Sequence, residues 1–236
     1  MKTLLTLASF GLFVTPICLA EDNTPPPGFT ALFNGKDLTN WQGAVDFGKR
    51  QKMSDSERAA VQKDADAKIL PHWKVEDGVL VNDGQGGNLA SAKDFGNFEL
   101  YVDWKIEPRG DSGIYLRGNP QIQIWDSDQL DPKRYELEFA KGSGAPWNNK
   151  DKKDKVPLKK ADKSPGEWNT FYIVMKDGKV TVKLNGELVV DNAGLDNYFE
   201  AGKPLPARGP VELQQHYRQD GKPGKLWFKN IYVKEF

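Results

Sequence analysis

The segment SGIYLRGNPQIQIWD (Ser112–Asp126) reads as two short strands joined by a turn at Gly118-Asn119-Pro120. Successive side chains of a strand point to opposite faces, so Ile114, Leu116, Ile122 and Ile124 share one face. The other face then carries Tyr115, Arg117, Gln121, Gln123 and Trp125. A hairpin with one apolar face has to be covered by a second layer, so the fold turns on whether the rest of the chain repeats this period.

It does so from His72 onward. WKVEDGVLVND, GNFELYVDWKIE, RYELEFA, EWNTFYIVMKDGKVTVKLNGELVVDN, GPVELQQH and KLWFKNIYVKEF mostly alternate apolar with polar residues, and Asp-Gly, Asn-Gly or Gly-Pro turns separate them. The pattern predicts an all-β antiparallel sandwich or barrel. Phe98, Leu100, Val102, Trp104 and Ile106 face one way, and Glu99, Tyr101, Asp103 and Lys105 the other. Val211 and Leu213 oppose Glu212, Gln214 and His216; Tyr135, Leu137 and Phe139 oppose Glu136 and Glu138. Earlier in the chain, FTALFNGKDLTNWQG gives a strand and an Asn34-Gly35 turn. Ser54-Asp-Ser-Glu57 has the spacing of a capping box and predicts one short inserted helix near residues 54–68. The lysine-rich segment Gly142–Pro165 reads as a solvated loop, because acidic residues are interspersed with its lysines.

Length and composition suit one sizeable core: 236 residues, 38% hydrophobic and 28% charged. Lys+Arg and Asp+Glu balance at 33 each, so no net field favours nucleic acid or an anionic membrane surface. Residues 1–20 place one lysine before an apolar run ending in Cys18-Leu19-Ala20, the pattern of a cleaved signal peptide. A Pro-rich lead (21–28) and a single domain (29–236) follow. No later run approaches the ~20 apolar residues of a membrane span. The expected product is exported, to the periplasm or beyond. Lipid anchoring through Cys18 is disfavoured by the bulky Ile17 before it. The sole cysteine lies in the removed segment, which leaves the mature chain without a disulfide, a thiol nucleophile or a thiolate metal site. Gly-rich phosphate loops, HExxH and Gly-x-Ser-x-Gly are absent, and two histidines cannot build a three-histidine zinc site.

A solvated strand face is usually filled with Lys, Glu and Thr, and that reading suits Glu99, Lys105, Glu136 and Glu187. Arg117, Gln121, Gln123, Trp125, Gln214 and His216 are a different set. Amides and a guanidinium beside a tryptophan supply the hydrogen bonds and the flat stacking surface that a sugar ring needs. His72 reads as a capping or packing residue before Trp73. His216 ends a strand on the polar face, where an imidazole can act as acid or base. Calcium ligation by Asp111, Asp126, Asp128 or Asp131 competes with the simpler reading of a surface turn.

FTALFNGKDLTNW, GNFELYVDWKI, DSGIYLRG, QIQIWD, PGEWNTFYIVMKDGKVTVKLNGELVVDN, GPVELQQH and LWFKNIYVKEF together resemble the 3-keto-disaccharide hydrolase domain family, across Phe29–Phe236. The resemblance implies a concanavalin A-like lectin/glucanase jelly roll with a concave sugar groove, and glycan catabolism on sugars already oxidised at carbon 3. The family's Leu-Gln-Asp/Asn-His-Gly run is here Leu213-Gln214-Gln215-His216-Tyr217, with tyrosine in place of glycine. Many members carry an acid where this chain has Gln121, so that acid's role does not carry over.

A two-carboxylate glycosidase flanks the scissile bond with an acid and a base or nucleophile. Glu99-Leu-Tyr-Val-Asp103 lacks the Glu-x-Asp-x-x-Glu run of lectin-fold glucanases. A ketone at carbon 3 changes the requirement, because it acidifies the hydrogen on carbon 2. Base-initiated elimination and hydration, or hydrolysis, would then cleave a 3-keto-glycoside. In this scheme Asp103 or His216 is the base, and Arg117 with Gln123 meets the keto or enolate oxygen. Gln214 and Trp125, with Tyr115 and Gln121 beside them, position the sugar. A divalent cation could replace or assist Arg117. The rival reading is a non-catalytic, lectin-like carbohydrate-binding module; an ordinary endo-glucanase is disfavoured by the missing carboxylate run.

Overall fold

The computed structural model describes residues 21–118, 120–129, 141–200 and 202–236. The expected signal peptide, Asn119 of the hairpin turn, Asp131 and the RYELEFA strand with Glu136 and Glu138 lie outside the described residues.

In chain order the elements are β1 (Thr30–Ala31), β2 (Trp41–Gly43), α1 (Phe47–Arg50), α2 (Asp55–Ile69), β3 (Trp73–Glu76), β4 (Val79–Asn82), β5 (Leu89–Ser91), β6 (Phe98–Ile106) and β7 (Asp111–Tyr115). β8 (Gln121–Trp125), β9 (Asn169–Lys176), β10 (Lys179–Leu184), β11 (Glu187–Gly194), β12 (Glu212–Leu213) and β13 (Leu226–Glu235) complete them. One antiparallel sheet has the order β11-β10-β9-β6-β13-β4-β3, with β1 added on β13; the other runs β2-β5-β12-β7-β8. The two sheets form the all-β, concanavalin A-like jelly-roll sandwich that the alternation and the resemblance imply.

The apolar parity of each strand makes the core. Phe98, Leu100, Val102, Trp104 and Ile106 of the larger sheet share one cluster with Ile114, Ile122, Ile124 and Leu213 of the smaller. Burying each such side chain is worth roughly 1.5–3 kcal/mol. The expected helix is α2: Glu57 Oε2 accepts from Ser54 N at 2.8 Å, and the Ser54 hydroxyl accepts from Glu57 N. α2 lies close against β2 because Gly43 has no side chain; a Cβ there would sit 2.6 Å from the Ala65 carbonyl oxygen. Gly43 N donates to Asp66 Oδ1, and Gln62 Nε2 to Gly43 O, both at 2.8 Å.

The segment 142–165 is only partly the solvated loop that its lysines suggest. The open edge of β8 needs hydrogen-bond partners, and Gly144, Ala145 and Trp147 provide them through Gln123 and Gln121. Farther on, Leu158 N donates to Val189 O in β11. The segment therefore closes the side of the sandwich from one sheet edge to the other, and its exposed lysines face outward from that seam.

Candidate functional site

On the outer face of the five-stranded sheet, β12, β7 and β8 stand side by side, and their register arranges the polar parity in three rows. Glu212 is opposite Tyr115, which is opposite Gln121. In the next row Gln214 N donates to Gly113 O, and Gly113 is opposite Gln123. In the third, Asp111 is opposite Trp125, and His216 Nδ1 lies 3.5 Å from Asp111 Oδ2.

The side chains form a continuous relay. Asp111 Oδ1 accepts from Gln123 Nε2 at 2.8 Å, Gln123 Oε1 from Gln121 Nε2 at 3.2 Å, and Gln214 Oε1 from Gln121 Nε2 at 2.7 Å. Gln214 Nε2 then donates to the Tyr115 hydroxyl at 3.2 Å. The vacant centre is required: a Cβ on Gly113 would fall 2.2 Å from Gln121 Nε2 and 2.5 Å from Gln121 Cγ. At the far end His216 Nδ1 donates to Tyr217 O at 2.8 Å, since a carbonyl can only accept. That fixes the neutral tautomer with its lone pair on Nε2.

The electrostatics of the face come from burial. Desolvation pushes the Tyr115 phenol up to about 12, with the Glu212 charge adding to the effect, so the hydroxyl keeps its proton. Burial also lifts the Glu212 carboxyl to about 7; a hydrogen bond from Asn88 and the Arg50 charge oppose the rise, and Asp46 reinforces it. Glu212 lies in the wall of an open cavity of about 340 Å³, which Phe47, Phe199, Tyr115, Asp46, Lys68 and Asn88 also line.

Tyr115, Gln121, Gln123, Gln214 and His216 thus come together as the alternation predicts, but not all in the expected roles. Gln121 and Gln123 are buried, and each spends its amide N–H groups inside the protein: Gln121 on Ser112 O, Gln123 and Gln214, and Gln123 on Asp111, Ser112 O and Ile124 O. They hold neighbours in place. Trp125 is buried too; its indole N–H donates to Gly142 O at 3.0 Å and its ring meets Trp147 edge-on.

Two expectations of a shared face are corrected. Asp103 belongs to β6 in the other sheet, on the opposite side of the sandwich. There its oxygens accept from Thr170 Oγ1 at 2.6 Å and Asn230 Nδ2 at 2.7 Å. Parity along one strand says nothing about which sheet that strand joins. Arg117 leaves the face because β7 ends at Tyr115 and Arg117 takes a left-handed φ of 54° at the turn. Its guanidinium is buried, donating to Gly96 O at 2.8 Å, Asn97 Oδ1 at 2.6 Å and Pro206 O at 3.3 Å. His72 pairs with Asp83 at the start of β3.

Glu212 is a residue that sequence reasoning did not single out for chemistry, and Asp111 entered it only as a candidate calcium ligand. Extending the period of β7 by one step beyond Tyr115 and Gly113 reaches Asp111. Glu212 shares parity with Gln214 and His216 but reads as an ordinary solvent-facing glutamate. Phe199, an exposed aromatic in the loop after β11, is seen only in the structure. Among the described residues no group of three or more His, Cys, Asp or Glu side chains is placed to hold a metal ion. His216 and Asp111 are the adjacent pair on this face with metal-ligating chemistry. Asp126 instead organises a turn, its carboxylate accepting from Arg109 N and Asp128 N, while Asp128 pairs with Lys160.

Comparison with known proteins agrees with this fold. A 3-keto-disaccharide hydrolase of Bacteroides thetaiotaomicron is 26% identical over 252 residues, spanning 88% of this chain and 78% of the relative. A crystal structure of a Parabacteroides distasonis protein assigned as a glycosyl hydrolase superposes with a TM-score of 0.65 at 26% identity, over 92% of this chain and all of that one. A second from the same organism gives 0.60 at 25% identity, over 89% and 85%. The family model described as 3-keto-alpha-glucoside-1,2-lyase-like matches residues 28–234, and the chain belongs to that family.

Proposed function

We propose that this protein cleaves the glycosidic bond of 3-keto-glycosides, by base-initiated elimination followed by hydration, on the outer face of the five-stranded sheet. The observation that carries the reading is His216: its Nδ1–H is committed to Tyr217 O with Asp111 behind it, which leaves Nε2 as a proton acceptor on a half-exposed ring. In the proposed reaction Nε2 removes the hydrogen on carbon 2, and the Asp111 carboxylate balances the imidazolium that forms. The Tyr115 hydroxyl accepts from Gln214 and retains its own proton, which it donates to the oxygen on carbon 3 as charge develops there. The bond to the aglycone at carbon 1 breaks as the carbon 1–carbon 2 double bond forms, and water then adds across that bond. The net result is hydrolysis, and it needs no second carboxylate flanking the anomeric carbon. The 26% identical hydrolase supports the choice of an oxidised sugar. The reading includes export: residues 1–20 have the composition of a signal peptide, and among the described residues no helix is long and apolar enough to cross a membrane.

The test is incubation of the purified mature chain with a 3-keto-glucoside and, separately, with its parent glucoside, with and without a chelator. The expected result is aglycone release from the keto sugar alone. Equal release from the parent glucoside overturns the keto-specific reading. Release from neither, with saturable sugar binding by calorimetry, would replace the enzyme by a lectin-like module.

A further inference from the structure

Glu212 has no task in the scheme above, yet it is a buried ionisable group at the wall of an open cavity. Burying a carboxyl is costly unless hydrogen bonds satisfy it. Among the described residues its side chain receives one hydrogen bond, a long one of 3.3 Å from Asn88 Nδ2 to Oε2. The charges around it do not neutralise it by contact: Arg50, whose charge favours ionisation, is committed to Asp94 at 2.5 Å, and Asp46 opposes ionisation. The second oxygen is free to meet something entering the cavity.

The position of that cavity is informative. Glu212, Gln214 and His216 follow one another at two-residue steps, so Glu212 lies roughly 13 Å along the strand direction from His216, with the Gln214–Gly113 row between them. Side chains reaching inward from the two ends of that backbone span can meet neighbouring atoms of one ring lying over the middle row, while the leaving group extends past Tyr115. The walls suit such a group: Phe47 and Phe199 give apolar ring surface, Asn88 and Asp46 give polar edges, and about 340 Å³ is in the range of small-molecule sites.

We propose that this cavity receives the leaving group of the substrate, a hydroxylated ring such as a second hexose, and that Glu212 in its protonated form is the proton donor to the glycosidic oxygen. The inference rests on the keto-glycoside reading of the same face. When the bond between carbon 1 and the glycosidic oxygen breaks, its electron pair goes to the oxygen, which takes the Glu212 proton and departs as an alcohol. In the hydration step the Glu212 carboxylate recovers a proton from the water that adds to carbon 1, and the imidazolium returns its proton to carbon 2.

A proton donor matters only where the leaving group needs one. The experiment compares wild type and Glu212→Gln on two 3-keto-glucosides, one with a p-nitrophenol leaving group and one with glucose. The expected result is a loss of about 100-fold or more on the keto-disaccharide, the ordinary range of general-acid catalysis, and a much smaller loss on the nitrophenyl substrate. Equal losses on both, or none on either, would overturn the assignment. The exposed Phe199→Ala is a second probe: KM should rise for the keto-disaccharide and stay level for a 3-keto methyl glucoside, and no difference between the two would remove the leaving group from the cavity. Inactivity of the wild type on both keto-glucosides would instead remove the parent reading, and this inference with it.

Discussion

The Asp111 carboxylate is held between an amide and an imidazole: its Oδ1 accepts from Gln123 Nε2 at 2.8 Å, and its Oδ2 lies 3.5 Å from His216 Nδ1. A negative charge beside a proton-accepting imidazole stabilises the imidazolium. Asp111→Asn keeps the shape and an oxygen for Gln123 but removes that charge. We expect turnover on a keto-glycoside to fall by about 100-fold or more with KM little changed. Steady-state kinetics check this, and a rise in KM at unchanged turnover would mark Asp111 as a binding residue only.

The relay through Gln121 and Gln123 makes a separate prediction about stability. In Gly113→Ala the new methyl would fall within 2.7 Å of three Gln121 side-chain atoms, so the amide has to move and its bond to Gln214 is lost. Overpacking of this kind costs about 1–3 kcal/mol. Gln123→Ala should cost a similar amount, roughly 1–3 kcal/mol, because it removes a hydrogen bond to a buried carboxylate. Urea unfolding of both variants measures these losses, and wild-type stability in either would mean that the relay does not hold the face together.

How far the site was legible in the sequence follows from the range of each signal. The two-residue period is local, and it correctly put Tyr115, Gln121 and Gln123 on one face of the hairpin and Gln214 with His216 on one face of the later strand. Which strands become neighbours is not local. β6 and β7 are adjacent in sequence, yet they join different sheets, and this separated Asp103 from the rest. Arg117 was lost for another reason: its left-handed φ at the end of β7 breaks the alternation, and sequence shows no glycine or asparagine there to announce it. Glu212 was hidden by chemistry, since a glutamate on a polar strand face normally meets water, and here Asn88 and the cavity walls take its place.

The relocation of Asp103 and Arg117 is itself testable. Asp103→Asn, on the far sheet, should leave turnover close to wild type; a loss comparable to that of His216→Ala would put the base back on that carboxylate. Arg117→Ala removes a buried donor from Gly96 O, Pro206 O and Asn97 Oδ1 at once. It should destabilise the fold by about 2–3 kcal/mol, as expected for hydrogen bonds to a charged group. The molecules that remain folded should keep their turnover, measured as activity per native fraction. A selective loss of turnover at full stability would restore Arg117 to the chemistry.

The Glu212 carboxyl supplies a pH signature that does not depend on any substrate. Burial raises it from an ordinary 4.5 to about 7 in the folded chain. Between those values the folded protein holds a proton that the unfolded chain has released. The stability associated with Glu212 is therefore fully present below about pH 4.5 and is lost as pH rises through about 7, where a bare charge has to be kept out of water. The full excursion is on the order of 3 kcal/mol. Glu212→Gln is neutral at every pH and lacks this limb. Relative to wild type, the glutamine variant should gain unfolding free energy between about pH 5 and pH 8, read by urea titration at both values. A difference between the two proteins that stays constant with pH would mean that Glu212 is ionised in the folded chain throughout, and it would then have no proton to give.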